Sequence, residues 1–224
     1  MTTVPGHVAS QRHPFLDADD NPHLQHIHAC WRQGLARLSP TPEQLERGLA
    51  LHGEAVALDT FGFLPSVWNE RVIEQLNALA DGQIGAREWH FRALALRKAC
   101  MADDPDGPVG QTFVAALRAS GLNGMVQTVG RAAVPGMNDL EREMHAMASF
   151  QHLTRQFRKH LFQAGSVAEL HEGMAEGRFG LMWSMNSPPV PGRMIDADDE
   201  FSWLTPFYQM GFRLCHLSYN RRNA

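Results

Sequence analysis

The chain has 224 residues, 44% apolar and 20% charged, which suits a sizeable soluble globular protein and excludes a disordered or fibrous one. A net charge of −4 and a pI near 6.3 exclude a general attraction to nucleic acid or to an anionic membrane. Three widely separated cysteines, Cys30, Cys100 and Cys215, make no disulfide framework and point to a reducing compartment, so the cytoplasm is the expected location.

The opening residues, MTTVPGHVASQRHPF, lack the apolar core of a secretory signal, and no run approaches the roughly 18–20 apolar residues of a membrane span. Residues 1–40 are predicted as a mobile arm bearing a short helix over His23–Leu38, with Ile27, Trp31, Leu35 and Leu38 on one face. The segment HLQHIHAC brings together His23, His26, His28 and Cys30, and His26 and Cys30 stand one helical turn apart, a spacing that suits a soft divalent metal. No second cluster follows at a matching distance, so adventitious binding or none is the plainer expectation.

From Ser39 the pattern becomes regular. Thr41-Pro42-Glu43-Gln44 is a capping box with proline at the first helical position, and Leu45, Leu49 and His52 share a face behind it. Ala55–Asp59 reads as a short buried strand. Helices are predicted over Val67–Leu79 (Val67, Val72, Leu76 and Leu79 on one side), Ala86–Ala102 and, after the breaker DDPDGPVG, Val109–Ala119. Gly121–Gly124 then turns into a strand over Met125–Val129.

Asn138 caps what is expected to be the longest helix. Leu140, Met144, Met147 or Ala148, Gln151 and Arg155 trace one register, with Phe150, Leu153 and Phe157 beside it. His145, His152 and His160 are placed on this helix at spacings too long to share one ion, with His152 expected in apolar surroundings. Ser166–Glu169 is a second capping box opening a helix that Gly177 ends. Phe179–Met185 is a strand apolar on both faces, Asp199–Met210 a helix that Pro206 should kink or divide, and Phe212–Tyr219 a last strand. Short apolar strands alternating with helices give an α/β class, with about four parallel strands joined by right-handed crossovers.

Gly211-Phe212-Arg213 followed by His216–Asn223 (HLSYNRRN) resembles a block in bacterial members of the membrane dipeptidase family of metallopeptidases. Leu45–Pro65, Gly124–Val129 and Glu176–Asn186 resemble the family's first helix and strand, its second strand and its third, in the same order, so the likeness covers residues 41–224. It implies an incomplete (β/α) TIM-type barrel over 41–224, with a site at the C-terminal ends of the strands. It also implies zinc-dependent hydrolysis of a small peptide, two zinc ions activating a bridging water. The family's His-x-Asp zinc ligands fall on Phe61 and Phe63, its bridging glutamate on Asn186, and a substrate-contacting histidine on Tyr219. Rings without a donor lone pair hold no zinc, so zinc is expected for the family and none for this chain, with catalysis impaired.

The candidate substrate-binding residues are Tyr219, Asn220, Arg221 and Arg222, whose paired guanidinium groups suit a carboxylate; the plain alternative is a solvated chain end. Asp59 and Thr60 end the first strand, and Asp59 is expected to cap the next turn rather than to hold a ligand. His216 and Cys215 alternate on the last strand, and His216 is taken as structural. Phosphate loops of the GxGxxG and GxxxxGK[ST] kinds, CxxC pairs and the GxSxG elbow do not occur. The early stop suggests a truncated or split gene. The alternative to an enzyme is an interaction module, a barrel part that completes its sheet as a homo- or hetero-oligomer.

Overall fold

The computed structural model describes residues 22–67, 69–82, 85–129, 136–186 and 197–216. Two helices open the described chain, α1 (Pro22–Leu38) and α2 (Pro42–Glu54). At α2 the Thr41 side chain accepts from the Gln44 N–H while Gln44 returns a bond to the Thr41 N–H, so the predicted box is complete. The helix ends at Ala55, and strand β1 runs over Leu58–Gly62, three residues later than Ala55–Asp59. The shift has a cause in pairing: Leu58 and Asp59 register with Gly124 and Met125 of β2 (Gly124–Thr128), and Asn123 takes the Ala57 N–H on its side-chain oxygen.

Between β1 and β2 lie α3 (Glu70–Asp81), α4 (Ala86–Asp103) and α5 (Pro108–Ala119). α3 starts later than expected because Asn69 caps it, its side chain accepting from the Val72 N–H. After β2 come α6 (Asp139–Gln156), β3 (Leu161–Gln163), α7 (Val167–Ala175), β4 (Phe179–Met185), α8 (Ala197–Gln209) and β5 (Phe212–Cys215). Asn138 and Glu141 form a reciprocal box at α6. At α7 only half of the expected box exists: Ser166 accepts from Glu169 N–H, but the Glu169 carboxylate takes the N–H of Gly165 instead. α8 runs unbroken through Pro206 rather than dividing there.

All strand pairs are parallel, in the order β1-β2-β4, with β3 and β5 following one another along the far edge of β4. β3 pairs with Phe179–Leu181 and β5 with Trp183–Met185. Gln163 donates to the Met210 carbonyl where the two meet, and Gly211 sits there at φ +110° so close that a Cβ would strike the Gln163 amide. β3 escapes the sequence because three residues show no periodicity and it follows a helical turn directly.

Residues paired across parallel strands point to one side, so the register sorts the faces. Met125, Leu181, Trp183 and Met185 join the main core with Phe113, Leu153, Phe157 and Phe207 from α5, α6 and α8. Gly180 and Met182 lie on the other face, where α7 packs Leu170 and Met174 with Phe162 of β3. Helices on the first face connect strands stepping one way, and α7 connects β3 back to β4 the other way, as right-handed crossovers require. The class is α/β, and its parallel sheet with alternating helices is compatible with an incomplete TIM-type barrel.

Two expected faces are corrected. In α6 the buried side is Glu143, Ala146, Met147, Phe150 and Leu153, while Met144 is half exposed. In α1 Leu24 is buried against Ala116 and Ala119 of α5 and His28 is buried as well, whereas Trp31 and Leu38 are exposed. Both helices chose the side that meets a neighbour; periodicity alone offers more than one stripe. Residues 1–21 of the expected arm lie outside the described residues.

Candidate binding site at the strand ends

The C-terminal ends of the strands gather the polar and aromatic groups that the core excludes. Thr128 of β2 and Ser184 of β4 are register partners, both buried, their hydroxyls 3.4 Å apart. They share the face of Gly180 and Met182. The Phe61 ring of β1 lies 5.9 Å from the ring of His216, just past β5, and 5.6 Å from that of Phe63. β1 and β5 are separated by β2 and β4, so a flat sheet would hold them about 14 Å apart with side chains standing parallel. Ring contact across that gap means the sheet is concave on this side, and its rim converges.

Buried amides hold the rim in place. Gln127, 1% exposed, accepts from the Leu64 N–H and donates to the Thr128 carbonyl, tying the turn after β1 to the end of β2. Asp59 accepts the Phe61 N–H and is half-buried; it closes its own turn, as the sequence suggested. The carboxamide oxygen of Asn186 is buried at the end of β4 and has no hydrogen-bond partner among the described residues. His216 donates its backbone N–H to the Met185 carbonyl. Arg213 stacks on Tyr208 at 3.9 Å and donates to the carbonyls of Gly165, Tyr208 and Phe212, so this cation clasps the fold.

The groups gathered here are hydroxyls, amides, phenyl rings, one imidazole and the Asp59 carboxylate, which already takes the Phe61 N–H. A pair of zinc ions requires close anionic or imidazole donors and a charge-balancing bridge, and Phe61, Phe63 and Asn186 offer neither. The residues therefore do not fit the metal pair that the resemblance implies. Among the described residues no group of three or more His, Cys, Asp or Glu is placed to share an ion.

The other candidates separate. Cys30 Sγ and His26 Nε2 are 3.7 Å apart on the exposed side of α1, but His28 is buried on the opposite side, so the predicted cluster splits. The side chain of His23 lies outside the described residues. His145 and His152 are both exposed on α6, which corrects the expectation for His152. His160 is not on that helix; it sits in the turn before β3, beside a polar hollow of about 100 Å³ that also touches Asp106 and Lys159, at the sheet's other end. Burial, followed by Arg118 and Lys159, holds its pKa below the ordinary value against an opposing pull from Asp106. Tyr219, Asn220, Arg221 and Arg222 lie outside the described residues. Thr128, Ser184 and Gln127 went unnoticed in the sequence, since only register brings them to this rim.

No protein-family model matches the chain, and no curated protein matches it. Among solved structures, an amidohydrolase from Pseudomonas aeruginosa aligns with 78% of this chain at 14% identity and a TM-score of 0.44. The chain spans 37% of that protein's length. Similarity at that level carries no information on chemistry. No helix among the described residues is long and apolar enough to cross a membrane.

Proposed function

We propose that this chain stems from the membrane dipeptidase line of hydrolases and that its strand ends bind a small peptide without hydrolysing it. The observation that carries this reading is the Phe61–His216 ring contact, with Phe63 against Phe61, at the place where the family would present zinc ligands. Aromatic rings cannot donate to a metal, but they offer an apolar surface to a ligand side chain. In this proposal Arg221 and Arg222 take the peptide carboxylate, with Tyr219 and Asn220 as further contacts, because in the sequence they come within a few residues of His216. The buried, unpartnered Asn186 oxygen gives the same rim an acceptor for an incoming N–H.

The test uses the purified chain incubated with zinc, desalted, analysed for metal by mass spectrometry and assayed on simple dipeptides. Less than one zinc per chain and no turnover above buffer are expected. Calorimetry with the same dipeptides should show binding that an Arg221→Ala, Arg222→Ala double variant weakens by tenfold or more. Two retained zincs per chain together with turnover would overturn the reading.

A further inference from the structure

Of the 20 lysine and arginine residues, only Lys98 and Lys159 are lysines, and they stand in opposite settings. Lys159 is exposed in the turn before β3. Lys98 lies on α4, one helical turn before Met101 and Ala102, which are 1% and 4% exposed. α4 packs against α6, and the Lys98 amine stands over the Phe150 ring of α6, 4.1 Å from its centroid. Among the described residues that amine has no ion pair and no hydrogen bond.

Residue type matters at such a place. Arginine stays charged whatever surrounds it, whereas a lysine amine sheds its proton when water is withdrawn and becomes a nucleophile. The ring face attracts the cation and returns part of what burial costs. Burial still prevails: unopposed by any carboxylate, it pushes the Lys98 pKa down to about 8. About a quarter of the amine is then free base at pH 7.5, against about one part in a thousand for an exposed lysine.

We propose that Lys98 is a modification site, an amine that takes a short acyl group from a thioester. The surroundings select this chemistry. Condensation with an aldehyde or ketone gives an imine that protonates and restores the buried cation, and a carbamate sets an anion against the Phe150 ring. Acyl transfer leaves a neutral amide, which the apolar contact tolerates better than either charge. The free-base nitrogen adds to the thioester carbonyl, the C–N bond forms as the C–S bond breaks, and the proton shed by nitrogen leaves with the thiol. The product carries no charge between α4 and α6. No strand-end residue takes part, and the site is independent of the dipeptide reading.

Competition between the two lysines tests it. The full chain is incubated at pH 7.5 with the S-acetyl thioester of N-acetylcysteamine, thioesters on cysteine are cleared with hydroxylamine, and acetyl-lysine is read by peptide mass spectrometry. In the folded chain Lys98 is expected to acylate about tenfold or more faster than Lys159, since the amine with the larger free-base fraction attacks first. In concentrated urea, where both amines meet water, the two rates should come together. Lys159 reacting as fast as Lys98 or faster in the folded chain overturns the proposal, as does a preference for Lys98 that persists in urea.

Discussion

The two ends of the strands obey different rules. At the N-terminal end β2 and β4 approach so closely that a Cβ on Gly124 would lie 2.6 Å from the Gly180 carbonyl oxygen. There Asn123 takes the Ala57 N–H, its own carbonyl accepts from Gly180, and α7 seals Gly180 with Leu170. At the C-terminal end the groups are exposed or half-buried rings, a hydroxyl pair and an amide with an unused oxygen. One end is closely packed, and the other keeps exposed or half-buried rings around a buried hydroxyl pair and an unused acceptor.

Substitutions can break that contrast, beginning with the closest contact. Gly124→Val drives a branched side chain into backbone that cannot yield, so a loss of about 3 kcal/mol or more is expected, read as a lower urea midpoint. Asn123→Ala strands a part-buried backbone N–H and should cost about 1–3 kcal/mol, while Phe61→Ala, at a position 38% exposed, should cost under about 1 kcal/mol. Equal losses from the two would show that the C-terminal rim is as structural as the base. The smallest effect is in pH. His160, near the N-terminal end, has a folded pKa below its ordinary 6.5, so the unfolded chain takes up the proton first. Its contribution is present above pH 6.5 and lost as pH falls toward the folded value. Thermal midpoints between pH 7.5 and 5.5 should drop less for His160→Gln than for the wild type, and identical slopes would exclude this group.

The residues that announced themselves were those with local partners. Thr41 and Asn138 accept from N–H groups three residues on, a relation written in the chain itself; Asn69 does the same but is hidden behind the apolar spacing of Val67 and Val72. Phe179–Met185 was legible end to end because a strand buried on both faces is a continuous apolar run. The candidate site was legible only in outline. Phe61, Phe63 and Asn186 were singled out, whereas Thr128, Ser184 and Gln127 look like ordinary strand residues until pairing sets them beside the rim.

By itself the sequence determined the α/β alternation, most helix caps and which side chain types stand at the strand ends, since propensity, capping and donor chemistry act over a few residues. Tertiary structure alone decided which stripes of α1 and α6 are buried, that β3 and β5 share one edge of β4, and that Phe61 meets His216. Those outcomes depend on contacts between residues far apart in the chain, whose energies no local window contains.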